Sequence, residues 1–395
     1  MNKKTFKDID VSGKKVFVRV DFNVPLDEGG NVVDDTRIKA ALPTINYLIS
    51  KGAKVILCSH LGRPNGMVNP RLSLAPVAKR LSFYLNKPVL MAEDVVGESA
   101  KKLSSELKEG DVMMLENVRF HKEEEENDAR FAAELASLAD IYVNDAFGTA
   151  HRAHASTAGI ACNLPAVAGF LMSSEIVAMS KALESPKPPF VVILGGAKVS
   201  DKIGVITKLL TKANTILIGG AMANTFIAAK GGNVGMSRFE KDKLDVAKKI
   251  LEEAEKKNVR ILLPVDVVAS SEFAPDGKKK VCDSYNIDAG LQALDIGPKT
   301  IKLFKKEIMG AQTIVWNGPM GVYEFPRFKT GTMKIAKYVA KSKAISIVGG
   351  GDSVSAVNES GYAGKINHIS TGGGATLKFL EGAVLPGVEL LLDKE

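Results

Sequence analysis

Four glycine-rich turns in the second half of the chain each follow a short apolar segment. They are Gly195-Gly196-Ala197-Lys198, Gly219-Gly220, Gly349-Gly350-Gly351-Asp352-Ser353 and Thr371-Gly372-Gly373-Gly374-Ala375. A buried strand that ends in glycine and leads into a helix presents unpaired backbone N–H groups, to which phosphate oxygens bind well. Glycine also ends helices and strands for conformational reasons alone, so one such turn is weak evidence. Four of them together indicate a nucleotide or polyphosphate site.

In the first half of the chain, the apolar segments end instead in polar and cationic residues. The segments that follow them are Val20-Asp21-Phe22-Asn23-Val24-Pro25, Ser59-His60-Leu61-Gly62-Arg63-Pro64, Glu116-Asn117-Val118-Arg119-Phe120 and His151-Arg152-Ala153-His154. Ligands of open α/β sheets bind beyond the carboxyl ends of the strands. A single arginine is more often a surface residue. Several arginines at strand ends, with planar guanidinium groups that suit carboxylate and phosphate, indicate an anion site.

Arg37 stands at the start of a predicted helix. Asp35 or Thr36 is the expected N-cap, because the following apolar residues share one helical face. A cation in the first turn opposes the helix dipole, so Arg37 is either exposed to solvent or directed at an anion. His60 and His151 have an ordinary alternative as hydrogen-bonded groups at the rim of a core. No His–carboxylate–Ser arrangement and no HExxH motif supports nucleophilic or zinc chemistry.

Short strands alternate with amphipathic helices in both halves, which predicts parallel sheets in an α/β architecture. The predicted strands are Lys15–Val20, Lys54–Cys58, Val89–Met91, Val112–Leu115, Ile141–Val143, Phe190–Leu194, Thr215–Ile218, Arg260–Leu263, Thr313–Trp316, Ala344–Val348 and Asn367–Ser370. Phe170–Leu183 predicts a connecting helix, and Glu184–Pro189 a proline-rich domain boundary. The tail from Leu377 is either a plain terminal helix or a segment that returns to the first domain.

The composition bounds the class of protein. The 395 residues are enough for two domains of ordinary size, and 45% hydrophobic with 25% charged residues is typical of a soluble globular protein. No apolar run reaches the ~20 residues that span a membrane, and the lysine-rich start has no signal sequence, so a cytoplasmic location without a membrane partner is expected. Cys58, Cys162 and Cys282 are far apart and are expected to be buried small hydrophobic residues. The acidic run Glu123–Glu126 predicts a solvated loop or helix start without a function.

A net charge of +8 favours anionic partners. Nucleic acid is one alternative, but aromatic residues make up only 6% of the chain and no zinc-finger, bZIP or RRM signature is present. A small polyanionic substrate explains the charge equally well. The sequence has no GxGxxG, which argues against a Rossmann dehydrogenase, and no GxxxxGK[ST], which argues against a P-loop NTPase.

Taken in order along the chain, these segments resemble the phosphoglycerate kinase family, with the length and spacing of its bacterial members. The matching segments are Arg19–Pro25, Asp35–Ile38, Ser59–Pro64, Leu115–Phe120, Gly195–Lys202, Trp316–Gly321, Gly349–Ser353 and Ser370–Ala375. The resemblance implies two doubly wound, parallel-sheet α/β (Rossmann-like) domains joined by a helix and hinge, with a C-terminal helix that returns to the N-domain. The implied ranges are 1–170 for a phosphoglycerate-binding domain, 171–189 for the interdomain helix and linker, 190–375 for a nucleotide-binding domain and 376–395 for the returning segment.

The resemblance also implies the reaction, a phosphoryl transfer between MgATP and the carboxylate of 3-phosphoglycerate in glycolysis, with hinge-bending closure of the domains. The implied phosphoglycerate ligands are Asp21, Asn23, Arg37, His60, Arg63, Arg119 and Arg152. The implied nucleotide ligands are Lys202, Gly219, Gly220, Ala293, Asn317, Glu324, Gly350, Gly351, Asp352 and Ser353, with Asp352 also on Mg²⁺. The implied catalytic residues are Arg37, Lys198, Lys202, Gly372 and Gly373. Ala293 stands where relatives often carry glycine, and Ser355 where alanine is common, but neither removes a charge.

The chemistry of the implied reaction agrees with these residue types. The nucleophile is a carboxylate whose pKa is roughly 3–4, so no general base is required and none is evident. The transferred phosphoryl group needs positioning and neutralised charge, which arginine, lysine, a metal and helix starts supply. A catalytically inactive relative that acts as a scaffold is the remaining alternative, and the joint presence of Arg37, Lys198, Lys202 and Asp352 argues against it. A monomer that binds only small molecules is expected.

Overall fold

The computed structural model describes residues 2–394 and divides the chain into two compact units. Unit 1 comprises the residues up to Val177 together with the segment from Val384 onward. Unit 2 is Ala178–Ala383. The chain therefore enters unit 2 once and comes back to unit 1 near its C-terminal end.

Unit 1 is built on a six-stranded parallel sheet. Its strands are β1 (Lys15–Arg19), β2 (Lys54–Cys58), β3 (Val89–Met91), β4 (Val112–Met114), β5 (Ile141–Asn144) and β6 (Ala166–Ala168). They lie in the order β3-β4-β2-β1-β5-β6, and each pairing is parallel. Apart from the edge strand β3 they are almost wholly buried, as strands of a sheet covered on both faces must be. The order reverses beside β1, which is where open α/β sheets bind ligands.

Between residues 36 and 184, six α-helices accompany this sheet. They are α1 (Thr36–Ser50), α2 (Ala75–Leu85), α3 (Glu98–Glu106), α4 (Lys122–Glu125), α5 (Ala129–Ala136) and α6 (Phe170–Glu184). The buried face of α1, which includes Ile38, Ile45 and Leu48, packs into the core that the strands provide. Helix α6 begins in unit 1 and ends in unit 2, since the division falls after Val177.

Unit 2 has a second six-stranded parallel sheet and a smaller antiparallel one. Its strands are β7 (Phe190–Leu194), β8 (Thr215–Ile218), β9 (Arg260–Leu262), β10 (Asp266–Ser270), β11 (Lys280–Asp283), β12 (Gln292–Ile296), β13 (Thr313–Asn317), β14 (Ile345–Gly349) and β15 (His368–Ile369). The parallel sheet has the order β15-β14-β13-β7-β8-β9, and the antiparallel sheet the order β11-β10-β12. The order of the larger sheet reverses at β7, which pairs with both β8 and β13.

The helices of unit 2 follow the strands of the parallel sheet or cross between them. They are α7 (Ile203–Leu209), α8 (Ala221–Ala229), α9 (Leu244–Lys256), α10 (Pro298–Gly310), α11 (Thr330–Lys341), α12 (Gly351–Glu359) and α13 (Gly374–Leu380). The core contains Trp316, Phe304 and Ile335, all fully buried. The predicted parallel α/β class is confirmed in both units.

The antiparallel sheet is the main element that the sequence analysis missed. Strand β11 is mostly exposed, and β10 pairs with β12 through an irregular register between Val268 and Ala269. Neither feature produces the clean alternation of apolar and polar residues by which a half-buried strand is recognised. Strand β6 was missed as well, because three small or apolar residues are too few to form a pattern.

The C-terminal tail is not one helix. Helix α13 lies in unit 2 and ends before Gly382, whose φ of 75° interrupts the chain direction. The short helix α14 (Pro386–Glu389) then packs on unit 1, where the Gly387 N–H donates to the carbonyl of Ala150 at 2.9 Å. The return to unit 1 begins at Val384, later than the boundary proposed at 376.

Two expectations about single residues were wrong. Cys58 is buried as expected, but Cys162 is exposed and Cys282 is only partly buried. The acidic run includes the four-residue helix α4, and Glu124 within it is fully buried rather than solvated. Among the helices of residues 2–394, none is both long and apolar enough to cross a membrane.

Candidate active site

The loops after β1 and β2 form one surface in unit 1. These strands are neighbours in the sheet, so their carboxyl ends lie side by side. The Phe22 N–H donates to Ser59 Oγ at 2.9 Å, and the Gly62 N–H donates to Asn23 Oδ1 at 2.9 Å. Asn23 is thus held against the glycine of the second loop, and the predicted residues Asn23 and His60 share this edge of the sheet.

Asn117 attaches the loop after β4 to the same surface. Its Oδ1 accepts from the Leu61 N–H at 3.2 Å, while its Nδ2 donates to the carbonyls of Leu61 at 2.7 Å and Leu72 at 2.9 Å. Asn117 is fully buried, so these bonds satisfy an amide that would otherwise be costly to bury. The bonds place Arg119, two residues further on, beside the loop after β2.

Arg37 lies in the first turn of α1, as the sequence predicts, and its Nη1 forms an ion pair with Asp21. The start of α1 is fixed by Asp35, which pairs with Arg80 at 2.7 Å and Lys39 at 2.9 Å. The N-cap side chain therefore binds cations instead of the backbone of its own helix. The side chain of Arg37 remains 44% exposed, so its guanidinium can still contact a ligand.

His60 lies beside Arg19, whose Nη2 is 3.3 Å from His60 Nδ1, and is 5% exposed. Burial lowers the pKa of His60 well below its ordinary value, and the charges of Arg19, Arg119, Arg37 and Arg152 lower it further. His60 is therefore a neutral imidazole near pH 7. The structure thus brings together four arginines around one histidine, three of which the sequence analysis had named as ligands.

The arginines differ in how they are held. Arg119 is 4% exposed, and its Nη1 donates to the carbonyl of Gly62 at 2.9 Å, while its Nε lies 3.4 Å from Glu125 Oε1. Burial lowers the pKa of Arg119. Arg152 is half-buried and Arg63 is exposed. The side chains of Arg63 and Arg152 are therefore less restrained by the protein than the side chain of Arg119, which is buried.

Two buried residues beneath this surface were missed as site residues. Arg19, at the end of β1, is 1% exposed and donates from Nε to Ser156 Oγ at 2.8 Å. Glu124 accepts from the Ser156 N–H at 2.8 Å and from Ser156 Oγ at 2.6 Å. Burial raises the pKa of Glu124, against the opposing effect of Arg19. The signal that could have found Arg19 is a charged residue inside an otherwise apolar strand, because such a residue is rarely buried without a role.

Clustered cations repel one another unless an anion joins them. In unit 1 the cluster of Arg19, Arg37, Arg119, Arg152 and the neutral donor His60 faces the carboxyl ends of β1, β2, β4 and β5. It can hold a small molecule with phosphate or carboxylate groups through several charge-assisted hydrogen bonds. Its chemistry is therefore anion binding.

Unit 2 contains a separate cavity of about 310 Å³ beside the glycine turns. Four of the predicted nucleotide ligands line it, namely Gly220, Ala293, Glu324 and Asp352. Other lining residues were not predicted, among them Asn224, Arg238, Phe273 and Met320. The antiparallel sheet, which the sequence analysis missed as an element, supplies part of the wall through β12, the strand that carries Ala293. Apolar walls with glycine backbone and a few polar groups are typical of a small-molecule or cofactor site.

Lys202 and Asn317 form a buried pair close to this cavity. Lys202 is 8% exposed and donates from Nζ to Asn317 Oδ1, while Asn317 Nδ2 donates to the carbonyl of Gly349 at 2.9 Å. Burial lowers the pKa of Lys202 to about 8, although the carboxylates of Asp201, Asp352 and Glu381 oppose this shift. A buried lysine that has only an amide as its direct hydrogen-bond partner is suited to receive an anionic ligand.

The turns after β7 and β13 approach each other so closely that they require glycine. A Cβ on Gly195 would lie 1.9 Å from the carbonyl oxygen of Pro319. A Cβ on Gly318, whose φ is 102°, would lie 2.2 Å from the carbonyl oxygen of Gly195. The Gly318 N–H also donates to Ser353 Oγ at 2.5 Å, which ties in the start of α12. Two of the four glycine turns, together with the turn after β13, thus meet at the switch point of this sheet.

The remaining predicted residues of unit 2 are placed less centrally. Lys198 and Gly351 are exposed, and Gly350 is the N-cap of α12. Gly219 packs against Met320, where a Cβ would lie 2.5 Å from the sulfur. The Gly372 N–H donates to Ser370 Oγ at 3.1 Å, and Gly373 is the N-cap of α13. The structure therefore does not place Lys198, Gly372 or Gly373 on the lining of the cavity.

The residues present fit a magnesium ion that arrives with a nucleotide. Within residues 2–394, no group of three or more His, Cys, Asp or Glu side chains could hold a metal by itself. Mg²⁺ commonly binds through one or two carboxylates together with substrate phosphates. Asp352 is a single exposed carboxylate in the first turn of α12 and lines the cavity. It suits such a shared site.

Comparison with known proteins gives one family across almost the whole chain. The sequence model described as phosphoglycerate kinase matches residues 6–383. A phosphoglycerate kinase of Pelotomaculum thermopropionicum is 56% identical over 394 residues, and one of Clostridium tetani is 55% identical over 396 residues. These alignments cover all of this chain, and 100% and 98% of the two relatives.

Two solved structures have the same fold. The phosphoglycerate kinase of Coxiella burnetii superposes with a TM-score of 0.91 at 42% identity, and that of Pyrococcus horikoshii with a TM-score of 0.85 at 37% identity. Each comparison covers 98% of both chains.

Proposed function

The chain belongs to the phosphoglycerate kinase family and is a phosphotransferase of glycolysis, and we propose that unit 1 binds 3-phosphoglycerate while unit 2 binds MgATP. The observation that carries this proposal is the contrast between the two sites. The one in unit 1 is a cluster of cations, and the one in unit 2 is a partly apolar cavity beside glycine turns. The first suits a small substrate with two anionic groups, and the second suits a base with a phosphate chain.

In unit 1, the arginines carry the charge of the bound phosphoglycerate. We propose that Arg63, Arg119 and Arg152, together with His60, bind its phosphate. Asp21 and Asn23 would hold the hydroxyl and carboxylate end, with Arg37 beside the carboxylate that receives the phosphoryl group. The ion pair between Arg37 and Asp21 supports this arrangement, because it keeps the guanidinium at the edge of the cluster where it remains half exposed.

In unit 2, we propose that the nucleotide occupies the cavity of about 310 Å³. Glu324 would bind the ribose, and Gly219, Gly220 and Ala293 would lie near the adenine. Asn317 and the turn Gly350–Ser353 would lie along the phosphates. Lys202 supports this assignment through its burial, since an anionic phosphate restores the charge partner that a buried ammonium lacks. Magnesium, held by Asp352 and the phosphates, would neutralise charge on the nucleotide.

The transfer itself needs no general base, because the attacking carboxylate is already ionised near pH 7. What the residues supply is positioning and compensation of the charge that spreads over the transferred group. We assign that role to Arg37 on the phosphoglycerate side, and to Lys198, Lys202 and the backbone at Gly372 and Gly373 on the nucleotide side. Removing a donor of this kind costs on the order of 100- to 1000-fold in turnover.

Hinge-bending closure, a monomeric state and a cytoplasmic location complete the proposal. Closure would exclude water that could otherwise hydrolyse ATP or the acyl phosphate. Small-angle scattering tests closure, because the radius of gyration should fall only when both substrates are added. Sedimentation velocity tests the monomeric state.

A coupled assay tests the proposed function directly. The protein is mixed with MgATP and 3-phosphoglycerate, and the 1,3-bisphosphoglycerate formed is followed through its NADH-dependent reduction. We expect turnover that needs both substrates and stops when EDTA removes the magnesium. Binding of both ligands without turnover would favour the inactive scaffold, and turnover without 3-phosphoglycerate would indicate a different acceptor.

A further inference from the structure

A chain of buried hydrogen bonds runs beneath the cationic cluster of unit 1 and ends at His60. Ser156 Oγ donates to Glu124 Oε1 at 2.6 Å. Ser156 Oγ also accepts from Arg19 Nε at 2.8 Å. Arg19 Nη2 lies 3.3 Å from His60 Nδ1. Glu124, Ser156, Arg19 and His60 are 0%, 0%, 1% and 5% exposed, so water does not compete for these contacts.

The chemistry of arginine fixes the direction of the last contact. A guanidinium group has five N–H donors and no acceptor. His60 Nδ1 must therefore accept the hydrogen bond, which means that it carries no proton. A neutral imidazole with a bare Nδ1 has its proton on Nε2. The contact from Arg19 thus selects one of the two neutral tautomers of His60.

Arg19 in turn needs help to keep this orientation. Its Nη1 donates to the carbonyl of Val20, its Nε to Ser156 Oγ and its Nη2 to His60. Ser156 is itself held twice by Glu124, through its N–H at 2.8 Å and through its hydroxyl. The carbonyl of Glu124 also accepts from the Ala155 N–H at 2.9 Å, so the loop that carries Ser156 is anchored to α4.

We propose that Glu124, Ser156 and Arg19 are positioning residues that hold His60 as the neutral Nε2–H tautomer, so that His60 donates one directed hydrogen bond to the bound anion. This inference rests on the proposed function, in which that anion is 3-phosphoglycerate. The arginines around His60 already supply positive charge. A neutral donor adds direction to the binding of the anion without adding a further charge to the cluster.

The tautomer can be measured without any substrate. In ¹⁵N-labelled protein at pH 7, long-range ¹H–¹⁵N correlation spectra distinguish a protonated from an unprotonated ring nitrogen. We expect His60 to have an unprotonated Nδ1 and a protonated Nε2. A proton on Nδ1, or on both nitrogens, in the wild-type protein would overturn the proposal, whatever the variants do.

Two variants test the chain that leads to His60. Ser156→Ala removes the oxygen that joins Glu124 to Arg19, and Glu124→Gln replaces the carboxylate with an amide of the same shape. We expect a mixture of His60 tautomers in both variants, with KM for 3-phosphoglycerate raised about tenfold, the effect of one lost hydrogen bond. We expect kcat and the KM for ATP to stay within about twofold. Glu126→Gln, a neighbouring exposed carboxylate, is the matched control and should change neither the tautomer nor KM.

The outcomes separate this inference from the proposed function. If the variants leave the His60 tautomer unchanged, the positioning chain is wrong even where activity is normal. If the tautomer shifts but the KM for 3-phosphoglycerate does not, His60 does not contact the substrate and this inference fails at its last step. Should the wild-type protein have the expected tautomer but no kinase activity, the failure lies with the proposed function.

Discussion

Replacing Lys202 with methionine should change the pH dependence of stability in unit 2. Burial lowers the pKa of Lys202 from its ordinary 10.5 to about 8. Between these two values the unfolded chain binds a proton at Lys202 and the folded chain does not. The free energy of unfolding of the wild-type protein therefore rises with pH through this window. Methionine has a similar length and does not titrate, so the Lys202→Met variant lacks this rise.

The expected magnitude follows from the shift of the pKa. One pKa unit corresponds to about 1.4 kcal/mol. At pH 7 the buried lysine costs the folded protein about 3 kcal/mol, and at pH 9.5 about 1 kcal/mol. Relative to the variant, the wild-type protein should therefore gain about 2 kcal/mol between pH 7 and pH 9.5. The loss of packing around the buried side chain does not depend on pH and cancels in this comparison.

Urea unfolding followed by tryptophan fluorescence measures this difference. The chain has a single tryptophan, Trp316, which is buried in unit 2 next to Asn317, so the signal reports on the correct unit. Lys208→Met, which removes an exposed lysine on α7, is the matched control. If the difference in unfolding free energy between the wild-type protein and Lys202→Met is the same at pH 7 and pH 9.5, burial does not depress the pKa of Lys202.

Three further changes test other parts of the molecule. Arg37→Ala should lower kcat on the order of 100- to 1000-fold in the coupled assay. Arg71→Ala, which removes an exposed arginine, is the control and should leave kcat unchanged. Equal effects of the two substitutions would refute the proposed role of Arg37 in stabilising the transferred phosphoryl group. Burial raises the pKa of Asp295 from 3.8 to about 7, so between these values the folded protein binds a proton that the unfolded chain does not, and the free energy of unfolding falls as pH rises. Between pH 5 and pH 7, the free energy of unfolding of the wild-type protein, followed by Trp316 fluorescence, should fall by about 2 kcal/mol relative to that of Asp295→Asn. A difference that stays constant with pH would contradict this. Gly195→Ala should lower the free energy of unfolding by more than ~2 kcal/mol and weaken MgADP binding in calorimetry, because its Cβ would lie 1.9 Å from the Pro319 carbonyl oxygen. Gly310→Ala is the control, since a Cβ there meets no atom within 4 Å.

Sequence reasoning succeeded where local chemistry determines the structure. The parallel strands before the glycine turns were predicted within a residue or two, because a fully buried apolar segment followed by glycine allows few other conformations. Arg37 was correctly placed in the first turn of α1 from the apolar face of that helix alone. The clustering of Asn23 and His60 followed from the rule that ligands bind at the carboxyl ends of parallel strands.

It failed where burial depends on residues distant in the sequence. Glu124 is one of four consecutive glutamates that have the same side chain but differ in solvent exposure. The buried carboxylate of Glu124 is hydrogen-bonded to Ser156, which is distant in the sequence. The residues around Glu124 therefore do not predict this contact. The antiparallel sheet was missed for a related reason. Its edge strand β11 is mostly exposed, so its sequence carries little apolar signal, and yet the sheet supplies one wall of the cavity.

Residues 3–4 are paired with residues 389–392 in unit 1. The Lys4 N–H donates to the carbonyl of Leu392 at 2.7 Å, and Lys3 Nζ donates to the carbonyls of Glu389 and Leu391. The Leu392 N–H in turn donates to the carbonyl of Ala166, at the edge strand β6. During synthesis on the ribosome, all of unit 2 is therefore made before the last piece of unit 1 becomes available. The half of the protein that is translated first is the half that is completed last.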